Sequence, residues 1–388
     1  MNAAPGLTGR EVLVNPAARS GAVTAPPRAP LALHQRLPGY AVTPLVEAPA
    51  LARANGVARV WVKDESWRLG LPAFKMLGAS WAAYRAVVER LGRDPEPWAS
   101  LDELRRILEP LGPLTLAAAT DGNHGRAVAR MATLLGAGAE IYVPKGTAGA
   151  RIAAIEGEGA RVTVVDGDYD AAVSAAAATA GERRLVIADV AWPGYEQIPA
   201  WVVEGYATIF WEVDDQLAAL GADGPDAVVV PVGVGALAAA AVRHYRRRGL
   251  ERRPRLIGVE PLAAACVLRS LLAGRIVTVP GPHHSIMAGL NCGTPSLVAW
   301  PFLRSGLDAV VAVADERARQ AMRDLAAVGI VAGETGAASL AGLAEVTTGR
   351  DAEEVRRAIG LRADARVLLL CTEGATDPDA YRWIVAED

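Results

Sequence analysis

The chain has 388 residues, of which 52% are hydrophobic and 21% are charged, a composition typical of a globular enzyme. This length exceeds what one simple core usually holds, so we predict two domains. The formal net charge of −3 lacks the basic excess of a polyanion-binding protein, so we expect no nucleic-acid partner.

The sequence shows no membrane-spanning, secretory or metal-binding pattern. No apolar run reaches the roughly 20 residues needed to cross a bilayer. The first residues lack the apolar stretch of a signal peptide. We therefore expect a cytoplasmic protein with no membrane partner. The three cysteines form no CxxC pair and the histidines have no HExxH spacing, so we expect no metal site.

Apolar runs alternate with helical patterns after a segment rich in proline and alanine, residues 1–44, which is predicted to form an extended arm. A strand is predicted in VARVWVKDES, a long helix from Lys75 to Leu91, and a strand with a glycine turn in PLTLAAATDGNHG. More strands are predicted in AEIYVP, ARVTVVDG and RRLVIADVAW. The later chain predicts a strand, turn and helix in DAVVVPVGVGALAAAAVRHY, then strands in RLIGVEP and ARVLLLCTEGATD.

Several predicted strands are continuous apolar runs, which is typical of parallel sheets covered by helices on both faces. The fold class is therefore predicted to be α/β. Open sheets of this kind bind their ligands in the turns that follow strands. We expect the functional residues in those turns.

Lysine is rare in this chain, since Lys63, Lys75 and Lys145 are the three lysines among 40 basic residues. This suggests that arginine serves wherever only a surface cation is needed. Lys75 lies in the apolar run GLPAFKMLGAS. A desolvated lysine amine can act as a nucleophile and form a Schiff base, which a guanidinium cannot do. The alternative is a lysine whose stem packs on a helical turn while its amine stays in water.

Three turns after predicted strands offer further chemistry. In PVGVGAL, Gly233 and Gly235 free backbone amides at the start of a helix, an arrangement that suits a phosphate. It could equally be an ordinary tight turn. The turn TDGNHG combines Asp121 with Asn123, although it could simply cap the next helix. Asp189 ends an apolar strand, where a carboxylate suits a cleft or a helix cap.

Taken together, these stretches resemble the diaminopropionate ammonia-lyases, a family of fold-type II pyridoxal 5′-phosphate (PLP) enzymes of the tryptophan synthase β-like superfamily. The resemblance covers nearly the whole chain from about His34 onward. FKMLGAS and TDGNHG belong to the wider fold-type II pattern. More particular to the lyases are SIMAGLNCG, DVAWPGY and TEGATD.

The resemblance implies a residue set for the cofactor. Lys75 would hold PLP through a Schiff base, next to Phe74 as a further cofactor contact. Asn123 would lie beside the phenolic oxygen of PLP, and Cys371 or Thr372 near its pyridine nitrogen. The phosphate would lie in the loop formed by Gly233, Val234, Gly235, Ala236 and Leu237.

The resemblance also implies a reaction. Family members release pyruvate and two ammonia molecules from 2,3-diaminopropionate and accept both enantiomers. By analogy, Asp121 would remove the α-proton of the D-isomer and Asp189 that of the L-isomer. Asn291 and Thr294 depart from the expected pattern. They keep open a lyase acting on serine, threonine or a sulfonated analogue. A non-catalytic protein that binds PLP or an amino acid is a further alternative.

The expected architecture follows from the same resemblance. Residues 1–84 and 211–388 would form a large PLP-binding domain, and residues 85–210 a smaller mobile domain that closes over a small amino-acid substrate. The resemblance suggests a homodimer. Cys266 and Cys292 match family positions, and we expect them to be thiols in a reducing cytoplasm.

Overall fold

The computed structural model of the protein describes residues 11–19, 21–120, 122–250 and 252–386. The strands, in chain order, are β1 (Glu11–Val14), β2 (Leu45–Glu47), β3 (Arg59–Asp64), β4 (Thr115–Ala119), β5 (Gly138–Pro144), β6 (Arg161–Val165), β7 (Arg184–Val186), β8 (Ala227–Pro231), β9 (Arg255–Pro261), β10 (Ala309–Val313) and β11 (Arg366–Cys371).

The α-helices, in chain order, are α1 (Ala29–His34), α2 (Pro49–Ala54), α3 (Lys75–Leu91), α4 (Leu101–Leu108), α5 (Asn123–Leu135), α6 (Gly149–Glu156), α7 (Tyr169–Ala177), α8 (Gln197–Gly205), α9 (Ala207–Ala219), α10 (Ala236–Tyr245), α11 (Cys266–Ala273), α12 (Trp300–Gly306), α13 (Asp315–Ala327), α14 (Ala338–Thr348), α15 (Ala352–Ile359) and α16 (Pro378–Ala386). Short 3-10 turns occur at Glu109–Leu111, Leu262–Ala264 and Ala288–Leu290. None of these helices of the described residues is long and apolar enough to cross a membrane.

The chain folds into two compact units, of which the first comprises the described residues up to 26, 42–66 and from 209 onward. Within the described residues its sheet has seven strands, in the order β1-β10-β9-β8-β11-β3-β2. The inner strands are parallel and the edge strands β1 and β2 pair antiparallel. Strands β8 and β11 are parallel neighbours, so the turns that follow them lie at the same end of the strands.

The predicted apolar strands form the core of the first unit. Every residue of β8 and β10 is buried. Helices pack on these strands and contribute Met322, Leu325, Leu340 and Leu343 to one apolar cluster. Strands that are buried on both sides read as continuous apolar runs. This burial is why the sequence pattern revealed them.

The second unit comprises residues 27–41 and 67–208. Among its described residues, four parallel strands lie in the order β6-β5-β4-β7, which makes β7 an edge strand. Helix α3 begins at Lys75 and ends where Gly92 adopts a left-handed φ of 71°. Helix α8 approaches α3 so closely that a Cβ on Gly205 would lie 2.4 Å from the carbonyl oxygen of Leu77.

The predicted α/β class and the parallel sheets are confirmed. The predicted helix from Lys75 to Leu91 matches α3. The N-terminal segment differs from the expected extended arm, because it contains β1 and α1. Its many prolines and alanines concealed both elements. The predicted mobile domain over residues 85–210 stays a prediction, and in the structure α3 crosses its first boundary.

Candidate active site

Lys75 is the first residue of α3 and directly follows the N-cap residue Phe74. The chain reaches it through a tight turn in which Leu69 and Gly70 have positive φ angles of 53° and 78°. Backbone hydrogen bonds between Arg68 and Leu71 close this turn. The Lys75 side chain is 21% exposed, so it is largely buried but still reaches solvent.

The Lys75 amine donates a hydrogen bond of 2.7 Å to Oδ2 of Asp189. The Asp189 side chain is only 8% exposed. Burial by itself would raise the pKa of Asp189, but the charge of Lys75, with a smaller contribution from His124, holds that pKa well below its usual range. The structure thus brings together two residues that the sequence predicted separately.

His124 lies on the first turn of α5 and is buried. Its Nε2 lies 2.7 Å from the carbonyl oxygen of Ile187. Because a carbonyl oxygen only accepts, the Nε2–H of His124 donates this hydrogen bond. Nδ1 lies 4.0 Å from Oδ2 of Asp189. His124 therefore holds the backbone just before Asp189.

Tyr206 is a neighbour of Lys75 that the sequence did not predict. Its ring lies 4.7 Å from that of Phe74. Burial raises the pKa of its hydroxyl, and Lys75 opposes this shift in part. A Cβ on Gly78 would lie only 2.5 Å from the Tyr206 ring, so glycine there is what admits the tyrosine. In the sequence, Gly78, one helical turn after Lys75, was the feature that could have indicated a bulky neighbour at this position.

The predicted base Asp121 lies outside the described residues. The structure does describe the residues next to it in the chain. Asn123 begins α5, and the backbone amide of Gly122 donates 2.9 Å to Oγ1 of Thr120. A Cβ on Gly125 would lie 2.3 Å from Cγ2 of Thr120. This glycine therefore lets the turn fold tightly against the end of β4.

The glycine loop belongs to the first unit and joins β8 to α10. Gly235 is the N-cap of α10 and has a φ of +96°, a conformation that favours glycine. A Cβ there would lie 2.4 Å from Cδ1 of Leu303. A Cβ on Gly233 would lie 3.0 Å from the carbonyl oxygen of Gly289. A Cβ on Gly235 would therefore collide with Leu303, and a Cβ on Gly233 would crowd the backbone of Gly289. Ala236 and Leu237 begin the helix whose amides face the loop.

Cys371 and Thr372 follow at the end of β11 and both are buried. The Cys371 thiol donates to the carbonyl oxygen of Glu373 at 3.5 Å, and the Thr372 hydroxyl donates to that of Thr335 at 3.3 Å. Burial raises the pKa of the Cys371 thiol well above its ordinary value. Both side chains are therefore neutral at neutral pH, as the predicted role beside a pyridine nitrogen requires. That role stays a prediction.

The segment that departs from the family pattern is closely tied to the glycine loop. Cys266 and Cys292 are both thiols. Sγ of Cys266 lies 3.8 Å from the carbonyl oxygen of Gly233, and Sγ of Cys292 lies 3.1 Å from where a Cβ on Gly233 would be. Nδ2 of Asn291 donates 2.9 Å to the carbonyl oxygen of Ser285. Asn291 thus braces the segment beside the loop.

The three lysines have three different roles. Lys63 is wholly buried and pairs with Glu212 at 2.7 Å. Lys145 is exposed and pairs with Asp166. The expectation that only arginine serves as a surface cation is therefore wrong for Lys145. Scarcity of lysine did not by itself single out Lys75.

Comparison with known proteins adds to this geometry. Residues 36–373 match the family model described as pyridoxal-phosphate dependent enzyme. The chain belongs to this family. The diaminopropionate ammonia-lyase of Salmonella typhimurium is 37% identical over 366 residues, 92% of this chain and 90% of that protein.

Solved structures agree with the family assignment. The Escherichia coli diaminopropionate ammonia-lyase, in complex with an aminoacrylate-PLP azomethine reaction intermediate, has a TM-score of 0.87 and 35% identity, and 97% of each chain is covered. A threonine deaminase from Solanum lycopersicum, at 20% identity and a TM-score of 0.74, shows the shared fold alone. The predicted family resemblance, the fold-type II class and PLP as cofactor are confirmed.

The residues of this PLP-dependent enzyme fit its cofactor. Lys75 offers a primary amine, held by a carboxylate, to an aldehyde. The glycine loop offers the backbone amides at the start of α10, which suits a phosphate. PLP carries an aldehyde and a phosphate, so its binding requires a primary amine for the one and an anion-binding loop for the other.

Proposed function

We propose that this protein catalyses the elimination of ammonia from 2,3-diaminopropionate, with PLP as cofactor, and thereby yields pyruvate and a second ammonia molecule. The observation that carries the proposal is the 2.7 Å contact between Lys75 and Asp189. It occurs in a chain similar over nine-tenths of its length to a diaminopropionate ammonia-lyase.

Lys75 binds the aldehyde carbon of the cofactor in this proposal, and the loop from Gly233 to Leu237 binds its phosphate. Phe74 and Asn123 are proposed as further cofactor contacts, and Cys371 or Thr372 as the neighbour of the ring nitrogen. When bound, PLP withdraws electrons from the substrate's α-carbon and so makes its C–H bond acidic. The protein must then supply a base at that carbon.

Asp189 is the proposed base for the L-isomer. Its pKa is low because of the ammonium of Lys75, while burial acts in the opposite direction. Once the Lys75 amine no longer carries its charge, burial remains and Asp189 becomes a stronger base. Asp121 is proposed as the base for the D-isomer, on the strength of the sequence pattern. The two carboxylates would then serve opposite faces of one carbon.

Elimination from serine or threonine has less support than elimination from diaminopropionate. The threonine deaminase similarity is one of fold. A non-catalytic binding protein is also less well supported, because Lys75, Asn123 and both loop glycines are present. We further propose that the protein acts as a cytoplasmic homodimer. Light scattering of the purified protein tests the dimer.

Pyruvate release by the PLP-loaded protein tests the function. The D- and L-isomers of 2,3-diaminopropionate are offered separately, with D- and L-serine as comparators. We expect release from both diaminopropionate isomers and none after Lys75→Ala. Lys145→Ala is the matched control, because it removes an exposed lysine. Absence of pyruvate from a protein that shows the visible absorbance of bound PLP would refute the substrate assignment.

A further inference from the structure

The backbone that leads into Asp189 leaves the sheet at an open edge. The amide of Ile187 donates to the carbonyl oxygen of Ala117 at 2.7 Å, which is the last bond between β7 and its neighbour β4. Backbone groups of successive strand residues point to opposite edges. The carbonyl of Val186 and the amide of Ala188 therefore face away from β4. Both residues are buried, so these two groups need partners.

The Tyr195 hydroxyl takes the place of a neighbouring strand at this edge. It donates to the carbonyl oxygen of Val186 at 2.6 Å. It also accepts from the amide of Ala188 at 3.1 Å. A phenol can do both only while it keeps its proton. Burial raises the pKa of Tyr195 well above its ordinary value, so the proton is retained at neutral pH.

A short turn brings Tyr195 back to this edge. The amide of Tyr195 donates to the carbonyl oxygen of Trp192 at 2.8 Å, and Gly194 supplies a φ of +87°. The rings of Trp192 and Tyr195 stack with centroids 4.1 Å apart and planes 12° apart. Both rings pack on the cluster of Ala117, Val186 and Ala188. The tyrosine ring is thereby packed against the segment that its hydroxyl binds.

We infer that Tyr195 is a positioning residue for Asp189. Its hydroxyl fixes the backbone on both sides of Ile187, while His124 binds the Ile187 carbonyl itself. Hydrogen bonds thus hold the backbone of Val186, Ile187 and Ala188, and Asp189 is the next residue. This inference rests on the proposed role of Asp189 as the base for the L-isomer. Displacing a reacting group by about 1 Å can cost about a hundredfold in rate.

The test compares Tyr195→Phe with Tyr142→Phe in the full PLP-loaded enzyme. Both tyrosines pack in the same cluster, but the Tyr142 hydroxyl contacts the side chain of Glu140. Tyr195→Phe is expected to lower kcat for L-diaminopropionate about ten- to a hundredfold, with KM and the D-isomer rate changed by less than about threefold. Tyr142→Phe is expected to leave the ratio of L to D rates as in the wild type.

A second measurement is independent of turnover. Hydrogen exchange of the segment from 184 to 196, followed by mass spectrometry, is expected to become faster in Tyr195→Phe and to be unchanged in Tyr142→Phe. Equal losses for both isomers, or unchanged exchange in Tyr195→Phe, would overturn the inference. If the wild type released pyruvate from neither isomer, the proposed function would fail. The exchange result would still decide whether Tyr195 holds the segment.

Discussion

Substituting Gly235 by alanine should separate the cost of backbone strain from the cost of crowding in the glycine loop. At a φ of +96° an alanine pays about 1–2 kcal/mol for the left-handed conformation. Its Cβ would also lie 2.4 Å from Cδ1 of Leu303, which is wholly buried and has little room to move. Overpacking of this kind costs about 1–3 kcal/mol. We expect a total loss of about 2–5 kcal/mol of unfolding free energy.

Gly221→Ala is the matched control for this experiment. Gly221 has a φ of +61° and nothing within 4 Å of its Cβ position, so an alanine there is destabilised by backbone strain alone. Urea denaturation, monitored by tryptophan fluorescence, gives the loss of unfolding free energy in each of the two variants. Titration with PLP, followed by visible absorbance, gives the affinity. Because crowding displaces the loop, Gly235→Ala should bind PLP about ten- to a hundredfold more weakly, whereas Gly221→Ala should bind it like the wild type.

Equal PLP affinity in the two variants would refute the assignment of the loop to the phosphate. Equal stability losses would instead show that Leu303 moves aside without cost. The two measurements therefore separate the packing of the loop from its function. Gly233→Ala extends the comparison, because its Cβ would meet the backbone oxygen of Gly289 at 3.0 Å without a strained φ.

Three further predictions concern buried charges. Lys75→Met should raise the pKa of Asp189 from its low value, because burial remains when the ammonium is gone. NMR titration of labelled aspartate measures this, and a pKa as low as in the wild type contradicts it. Burial raises the pKa of Glu260 from 4.5 to about 8, so the folded state holds a proton that the unfolded chain releases. Stability should therefore fall by about 1.4 kcal/mol per pH unit between these values, and Glu260→Gln should remove that slope in urea titrations. Lys63→Met should lower the free energy of unfolding by about 3–5 kcal/mol, because Glu212 is left buried without a counter-charge. The double variant Lys63→Met with Glu212→Leu should regain most of that stability, and a single variant as stable as the double would contradict this.

The sequence was sufficient to predict the α/β class because its central strands are buried on both sides. Burial on both sides removes polar residues from β8 and β10, so each is a continuous apolar run. The sequence also predicted the start of α3 at Lys75, since an apolar helical pattern begins there. The N-terminal segment was predicted less well. Its elements β1 and α1 are short, and the composition around them is typical of extended chain.

The candidate site was only partly predictable. Lys75, Asp189 and the glycine loop could be identified because each combines a rare or reactive residue type with a strand end or helix start. The motifs also carried the family resemblance that the comparisons confirmed. Tyr206 and the brace provided by Tyr195 were not predicted. Each acts through contacts to side chains or backbone groups that no local pattern specifies.

The sequence by itself determined the residue types, the order of the elements and the chemistry available in each turn. Only the tertiary structure decided that Asp189 lies 2.7 Å from a lysine 114 positions earlier, and that Lys63 is buried while Lys145 is exposed. The physical reason is that local patterns depend on neighbours three or four residues apart. The pKa of a carboxyl, by contrast, depends on burial and on charges brought near it by folding.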